Sequence, residues 1–534
     1  MRKRTSRVAL MWLVVALLAA AAQAAEPLSW EGTFTLSITA PGRQPTTVGT
    51  EHQRYFATEY SGQPAQGFET TSVIVLNALG VETTVRQHTT AYLSLSHEPL
   101  RMETEMGSEE KPQKVVATFF PDRVEYEREA AGDLQKGSVP IPNGVSLRDP
   151  DVMWDPAAGT VGDEVIGWGF EPMTLQLEKV KLVLAGREPV TIDGQEVQAW
   201  RLELDTEMSG PQTRWVDDRG IYLRHEYRLG DVLFVLERTD TPPELPQPGD
   251  QGPQVPDIIG GTAVDAGRAI PKPRECRMMR VRVGGLDRRS LFISDQRQRY
   301  GDLRELEGGS LEAELTVKTE PVPERGLRVG APVPQELVRF IEPTATIQSD
   351  DAEIVATARE IVGEEEDTLA AARKIAEWVA DRMSPDMSEP LLRSAKEVLA
   401  EPKGACRSYA TLYCALARAV GIPCRLAVGA VYAGDAGLAR LERRFAFHAW
   451  DEVWVGAWIA VDTALPSSDG FIPIDATHIK FSSGDVASFA PVGRVVRDLK
   501  LEVIETDTTG VRQEALGGLR GEPRRELLQC ALEW

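Results

Sequence analysis

The sequence predicts an α+β protein in which antiparallel β-rich domains precede a core of helices packed on an antiparallel sheet. From Trp30 to about Asp240, apolar and polar residues alternate in short runs between Gly, Pro and Asp, which is typical of antiparallel strands. Residues 241–273 are rich in Pro and Gly and lack apolar periodicity, which indicates an extended linker. From Ser349 onward the apolar residues recur with helical spacing.

Length and composition predict a folded chain of several domains. Of its residues 42% are hydrophobic and 26% charged, which is an ordinary balance for a folded protein. With 534 residues, the chain is too long for a single hydrophobic core. We divide it into a signal peptide (1–25), a β-rich domain that is an antiparallel sheet or open barrel (26–240), a linker (241–273), a small β-rich domain (274–340), a core of helices and strands (341–490) and a C-terminal extension (491–534).

The N-terminus has the pattern of a secretory signal peptide. Basic residues precede a short apolar run over 8–22, which ends in Ala22-Gln23-Ala24. A membrane anchor is the alternative, but it needs about 18 apolar residues, so the run is marginally short. We therefore expect cleavage near Ala24, an exported protein, periplasmic or extracellular, and no stable membrane span afterwards.

The charge of the chain is strongly negative. The formal net charge is −22, and it becomes more negative once the basic residues of the leader are removed. Because nucleic acid is itself an anion, it is not expected as a partner.

The β region carries turn signals but no clear catalytic motif. Asp193-Gly194 predicts a tight hairpin, and turns at Asp218–Gly220 and Gly230-Asp231 predict a three-strand meander.

Five cysteines occur, an odd number without metal-ligand spacing: Cys276, Cys406, Cys414, Cys424 and Cys530. At least one thiol therefore stays unpaired within the monomer. Cys414 and Cys424 could form a disulfide, although two buried apolar thiols are the favoured interpretation. We find no zinc, nucleotide or calcium motif, and expect no metal and no cofactor.

Four helices are predicted after residue 349. Asp350 or Asp351 can cap the first, and Asp367 or Thr368 the second. Ser394 with Glu397 forms a capping box for a short third helix. The fourth begins at Cys406 in the segment KGACRSYATLYCALARAVGIP and ends at Gly421-Ile422-Pro423.

Cys406 occupies a position that suits a nucleophile. At the start of a helix, unpaired backbone N–H groups and the helix dipole favour thiolate over thiol. A thiol nucleophile also needs a base, and the base needs a group that orients it. His448 and His478 are the histidines near Cys406 in sequence, and the only asparagines, Asn77 and Asn143, lie in the distant β region. The orienting group is therefore expected to be an acid.

The register of one hairpin selects that acid. His448 opens the strand HAWDEVWV, and Asp462 lies near the end of WIAVDTAL. A three-residue loop at 455–457 places Trp450 opposite Asp462 and makes His448 its diagonal neighbour on the same face. A two-residue turn would instead place Asp462 beside Asp451 on the other face. We predict the three-residue loop.

Residues Pro402 to Pro466 resemble the transglutaminase-like superfamily, a branch of the papain-like cysteine enzymes. The resemblance extends over a core of about 342–483. The matching elements are Gly404-Ala405-Cys406 opening a helix, the segment Arg418 to Arg425 after it, His448-Ala449-Trp450 opening a strand, and Trp458 with Val461-Asp462 in the next strand.

The resemblance implies a papain-like fold for this core and three catalytic roles. Cys406 would be the nucleophile, His448 the general base and then acid, and Asp462 the residue that orients the imidazole. The implied chemistry is acyl transfer on peptide or isopeptide amide bonds of a protein or peptide substrate, with the Cys406 backbone N–H as oxyanion donor.

Several alternatives accompany this assignment. Hydrolysis is preferred over amine transfer, because nothing in the sequence specifies an amine acceptor. A catalytically silent binding or scaffold protein of the cell envelope is a further alternative. Ala405 and Ser408 depart from the acids that many bacterial members carry at these positions, so substrate contacts there stay open. His478 is expected to be structural.

Overall fold

The computed structural model describes residues 27–509 except 79, 109–110, 146, 148–158, 207–209, 243–244, 246–254, 387–392, 438–440 and 486–491. The predicted signal peptide and Cys530 lie outside the described residues.

The N-terminal half of the described chain is one antiparallel sheet of 14 strands. The spatial order is β8-β7-β6-β5-β4-β3-β2-β1-β14-β13-β12-β11-β10-β9, so the two halves of the meander meet where β1 pairs with β14. The strands are β1 Trp30–Thr39, β2 Thr46–Tyr60, β3 Gln63–Ala78, β4 Val81–Leu93, β5 Pro99–Ser108, β6 Lys111–Phe119, β7 Arg123–Ala130, β8 Asp133–Pro140, β9 Glu164–Glu171, β10 Gln176–Ile192, β11 Gln195–Thr206, β12 Gly210–Val216, β13 Tyr222–Leu229 and β14 Val232–Thr239.

Local turn chemistry sets the register of this sheet. Ile192 pairs with Gln195 across the predicted Asp193-Gly194 turn. Asp193 and Gly194 have φ values of 47° and 76°, and two positive φ angles match the twist of a two-residue hairpin. The predicted meander is also present as β12, β13 and β14.

The ends of the sheet approach each other through a shared apolar cluster. Ala117 of β6 and Tyr126 of β7 pack in one cluster with Phe170 of β9. A bridge between Leu147 and Trp168 lies beside it. The sheet therefore curls so that the strands near its two edges, β8 and β9, enclose a common core.

The described part of the second half contains two further antiparallel sheets, in which several neighbouring strands are not consecutive in the chain, and a short parallel pair, β20–β21. One sheet has the order β15-β23-β22-β25 with β24 on β23, and the other β17-β19-β16-β26 with β18 on β19. The strands are β15 Val264–Asp265, β16 Met278–Leu286, β17 Gln298–Tyr300, β18 Arg304–Glu305, β19 Leu311–Lys318, β20 Ser384–Pro385, β21 Lys403–Gly404, β22 Cys424–Tyr432, β23 Arg444–Trp454, β24 Trp458–Val461, β25 His478–Gly484 and β26 Lys500–Asp507.

These pairings differ from the expected boundaries. Within the predicted linker, residues 258–262 form a helix and β15 pairs with β23. Within the predicted C-terminal extension, β26 pairs with β16. The extended-linker description does not fit the described part from 258 onward, because those residues complete a sheet edge that local composition does not reveal.

Six α-helices occur in the described residues. They are α1 Ile258–Thr262, α2 Ala352–Val362, α3 Thr368–Arg382, α4 Ala395–Ala400, α5 Cys406–Ala419 and α6 Val492–Asp498. Asp351 and Asp367 accept hydrogen bonds from the first backbone N–H groups of α2 and α3. Ser394 and Glu397 form the predicted capping box of α4.

Helix α5 is the centre of the second half. All but two of its residues are buried, and it packs with α2, α3 and α4 on one side and with β22 and β23 on the other. The core residues therefore come from helices and an antiparallel sheet together.

A buried ion pair joins the N-terminal sheet to this core. Arg128 of β7 donates to Glu397 of α4 at 2.9 Å, with side-chain exposures of 1% and 5%.

Within the ranges that the structure describes, no helix has both the length and the apolar character needed to cross a membrane.

Candidate active site

The backbone before α5 places Cys406 at the helix start. Ala405 is the N-cap and Cys406 the first helical residue, as predicted. Gly404 has φ of 141°, and a Cβ there would lie 2.5 Å from the hydroxyl of Ser408. Glycine is therefore required for this approach, because a side chain would displace the first turn of α5.

The thiol of Cys406 meets His448 on the neighbouring strand β23. The two side chains are hydrogen-bonded, and the backbone N–H of Ala449 also donates to the sulfur. Cys406 and His448 are both completely buried. A nucleophile and a base thus lie in direct contact inside the core.

The hairpin that carries His448 has the predicted register. Trp454 pairs with Trp458, which leaves a three-residue loop. Nε2 of His448 lies 2.6 Å from Oδ2 of Asp462, so the other ring nitrogen, Nδ1, is the one available to Cys406. The backbone N–H groups of Ala464 and Leu465 each donate to Oδ1 of Asp462 at 2.9 Å. These bonds hold the carboxylate in place.

The electrostatics favour a thiolate beside an imidazolium. Burial alone raises the pKa of the Cys406 thiol, but His448 and the Ala449 N–H outweigh burial, so this pKa is lowered. Burial lowers the pKa of His448, but Asp462 and Cys406 raise it by more than burial lowers it, so the net shift of this pKa is upward. Burial raises the pKa of Asp462, whereas His448 and His478 lower it well below its usual range. Each charged form is therefore stabilised by its neighbour.

A second imidazole contacts the same carboxylate. Nε2 of His478 lies 3.0 Å from Oδ2 of Asp462. The sequence predicted a structural role for His478, although the segment Asp475-Ala476-Thr477-His478 resembles one in some transglutaminase-like proteins. The contact depends on β25 pairing with β22 on the side opposite β23, which no local pattern indicates.

The three tryptophans of the hairpin have different surroundings. Trp450 is buried and lies edge-on to His478 with ring centroids 5.4 Å apart. Trp454 and Trp458 border a cleft of about 300 Å³ that is also lined by Arg425, whose guanidinium lies 4.0 Å from the Trp458 ring centroid. Trp450 is thus a core residue that supports the imidazoles.

Among the residues that the structure describes, two groups of side chains have spacing that could hold a metal ion. One is Cys414, Cys424 and Asp451, and the other is His448, Asp462 and His478. In the first group, the buried guanidinium of Arg418, which donates to the carbonyl oxygen of Cys424 at 2.9 Å, already supplies a positive charge and disfavours a further cation. In the second, both imidazoles contact Oδ2 of Asp462 at hydrogen-bond distances. The expectation of no metal stays a prediction.

The remaining described cysteines are free thiols. Cys276, Cys414 and Cys424 are buried, and none is in a disulfide. The favoured prediction of two buried thiols at 414 and 424 agrees with this arrangement.

Comparison with protein families gives a match to the transglutaminase-like superfamily over residues 355–463. That range contains Cys406, His448 and Asp462. This part of the chain is a transglutaminase-like domain, and the resemblance inferred from the sequence is confirmed. Comparison with curated proteins found no match.

Three solved structures are similar to the chain. A proposed cysteine protease from Cytophaga hutchinsonii has 16% identity and a TM-score of 0.32, covering 43% of this chain and 92% of its own. A β-barrel-like protein from Brucella abortus has 11% identity and a TM-score of 0.31, covering 39% and 94%. A proposed protease from Parabacteroides distasonis ATCC 8503 has 13% identity and a TM-score of 0.19, covering 76% and 70%.

Proposed function

We propose that this protein is a cysteine enzyme that cleaves peptide or isopeptide amide bonds through a thioester on Cys406, and that water is the final acceptor. The observation that carries the proposal is the continuous set of hydrogen bonds from Cys406 through His448 to Asp462, inside a transglutaminase-like domain. A nucleophile, a base and an orienting acid in contact are the parts that acyl transfer requires.

The first half of the reaction forms the thioester. The Cys406 thiolate attacks the carbonyl carbon of the substrate amide, and the carbonyl oxygen becomes an oxyanion. His448 then transfers its proton to the leaving nitrogen as the C–N bond breaks, which releases ammonia or an amine. The backbone N–H of Cys406 is the proposed oxyanion donor, since the first N–H groups of a helix have no intrahelical acceptor.

The second half returns the enzyme to its starting state. Neutral His448 takes a proton from water, the resulting hydroxide attacks the thioester carbonyl, and the C–S bond breaks to give a carboxylic acid and the thiolate. Asp462 keeps the His448 ring oriented throughout, because its Oδ2 accepts from Nε2 and its Oδ1 is held by two backbone N–H groups.

Access to the thiol requires a local rearrangement. Cys406 has 0% of its surface exposed in this conformation, and an amide carbonyl must come within van der Waals contact of the sulfur. Small reagents are therefore expected to modify Cys406 faster than bulky ones.

The first experiment measures the reactivity of Cys406. Purified protein is alkylated with iodoacetamide across a pH series, beside a His448→Ala variant, and modified cysteines are mapped by mass spectrometry. Modification of Cys406 well below the free-thiol pKa of about 8.5, lost in His448→Ala, supports the proposal. Ordinary thiol behaviour in both proteins overturns it and favours the silent scaffold.

A second experiment separates hydrolysis from amine transfer. A glutamine-containing protein substrate is incubated with a fluorescent primary amine, and released ammonia, new peptide termini and incorporated amine are measured. Hydrolysis products with little incorporation agree with the proposal. Incorporation without any hydrolysis would assign amine transfer instead.

We also propose that residues 1–25 direct export and are removed near Ala24. The basic residues followed by the apolar run support this assignment. N-terminal sequencing of the protein from periplasmic and medium fractions of a bacterial host tests it, and an intact N-terminus in the cytoplasm would contradict it.

A further inference from the structure

The strongest unexplained feature of the core is a second imidazole on the carboxylate of the proposed triad. Oδ2 of Asp462 meets Nε2 of His448 at 2.6 Å and Nε2 of His478 at 3.0 Å. All three side chains are at most 1% exposed. Together with the two amides on Oδ1, the carboxylate of Asp462 has four donors.

Both ring nitrogens of His478 face carboxylates. Nδ1 lies 3.3 Å from Oδ1 of Asp475, on the side away from Asp462. A neutral imidazole has one N–H and one lone pair, so one of its two contacts would join two acceptors. The contact of Nε2 with Oδ2 of Asp462, at 3.0 Å, is the shorter of the two, so we assign the N–H to Nε2 of His478.

Several buried charged groups surround His478. Asp475 accepts from Arg274 at 2.9 Å, and Arg274 also contacts the partly exposed Asp435 at 3.2 Å. The other neighbours include Asp462 after β24, with His448 and uncharged Trp450 on β23. Arg297, a further buried cation, donates to the backbone carbonyl of His478 at 2.8 Å and lies 3.4 Å from Glu320. A buried ionic network needs such pairing of opposite charges.

The backbone brings the two histidines together through a glycine. Gly429 of β22 lies opposite His448, and a Cβ on Gly429 would lie 1.8 Å from the carbonyl oxygen of Ile479. Strand β25 thus approaches β22 closely at a register shift between Val428 and Gly429. The approach places His478 beside the triad.

We propose that His478 is a positioning residue for the reaction, which donates to Asp462 and thereby keeps Asp462 as the acceptor for Nε2–H of His448. This inference rests on the proposed function, because it gives His478 a role only through Asp462 and His448. His478 does not touch Cys406 or the substrate in this account. Its effect is to hold the imidazole of His448 so that Nδ1 faces the sulfur.

The test compares two substitutions at one position. His478→Gln keeps a neutral N–H donor for Asp462, whereas His478→Ala removes the donor. The rate of Cys406 alkylation by iodoacetamide is measured from pH 5 to pH 9 in both variants, the unsubstituted protein and His448→Ala. Melting temperature and near-ultraviolet circular dichroism establish which proteins are folded.

The inference predicts a graded pH profile. In His478→Ala the acidic limb of the alkylation profile shifts by about one unit to higher pH. The alkylation rate at pH 6 therefore falls about tenfold, which is the factor for one pKa unit. In His478→Gln the rate stays within about threefold of the unsubstituted protein. A purely structural role would lower the melting temperature without moving the profile of the folded fraction.

The outcomes separate this inference from the proposed function. If Cys406 reacts as an ordinary thiol in the unsubstituted protein, the proposed function fails. If Cys406 is activated and depends on His448, but His478→Ala matches the unsubstituted profile, only the role of His478 is overturned. If His478→Ala does not fold, the His478→Gln variant provides the test. A pH profile of His478→Gln displaced as far as that of His448→Ala would show that an N–H donor at position 478 is not enough, and would overturn the inference.

Discussion

The N-terminal sheet and the transglutaminase-like core place their charged residues in opposite ways. On the sheet, ion pairs such as Lys136 with Glu127 lie at the surface, where both partners are about half exposed. In the core, Arg274, Asp475, His478 and Asp462 are buried in one hydrogen-bonded series. Surface pairs contribute little because water competes for them, whereas a buried charge depends on its partner. The buried charges of the core therefore depend on one another, whereas charge changes at exposed positions of the sheet should be tolerated.

The largest effect is expected from removing the sulfur. Cys406→Ala should lower amide hydrolysis by at least about 10³-fold, because no thioester can form. Cys414→Ser is the matched control, since that thiol is also buried in α5 but does not contact His448. Steady-state hydrolysis of a peptide substrate measures both, and full activity of Cys406→Ala would contradict the nucleophile assignment.

The next effect comes from the orienting acid. Asp462→Asn keeps the shape of the side chain but removes its charge, so the imidazolium of His448 loses its anionic partner. We expect kcat to fall on the order of 10²–10⁴-fold, with a smaller change in KM. Asp469→Asn, an exposed carboxylate nearby in sequence, provides the control, and similar losses in both variants would contradict a specific role.

The interface between the two regions provides a direct stability comparison. Arg128→Met leaves Glu397 buried without its cation, and we expect a loss of about 3–5 kcal/mol in unfolding free energy. Lys136→Met on the same sheet breaks an exposed pair and should cost below about 1 kcal/mol. Urea denaturation measures both. The double variant Arg128→Met with Glu397→Gln should recover part of the lost unfolding free energy. Equal losses for Arg128→Met and Lys136→Met would contradict the difference between buried and exposed ion pairs.

Acid provides the smallest and most gradual test. Burial raises the pKa of both Asp462 and Asp475, but their cationic neighbours lower it to a net value well below the usual range. Their stabilisation is therefore complete above the unfolded-state pKa of about 3.9 and is lost as pH falls through the lower folded pKa. We expect the core to lose tertiary structure below about pH 4, measured by tryptophan fluorescence. Asp475→Asn should flatten this dependence, and an unchanged acid profile would contradict it.

Features governed by neighbouring residues were predictable from sequence. The caps at Asp351, Asp367 and Ser394, and the three-residue loop that brings His448 to Asp462, depend on residues within one hairpin or one helical turn. Cys406 was singled out by its position at the start of a helix, and the family resemblance then implied its catalytic role. Features that depend on strand order were not predictable. His478 reaches Asp462 only because β25 joins the sheet next to β22, and the side-by-side order of distant strands leaves no periodic trace in the chain.

The pairing of β16 with β26 has a consequence for the folding of the protein during its synthesis. Strand β16, at Met278–Leu286, is synthesised long before its partner at Lys500–Asp507. Until β26 leaves the ribosome, the backbone donors and acceptors along that side of β16 stay open to other chains, as on any unpaired strand edge. A prematurely terminated chain keeps this edge permanently. Strand β26 thus covers an edge of β16 that a chain terminated before residue 500 would expose.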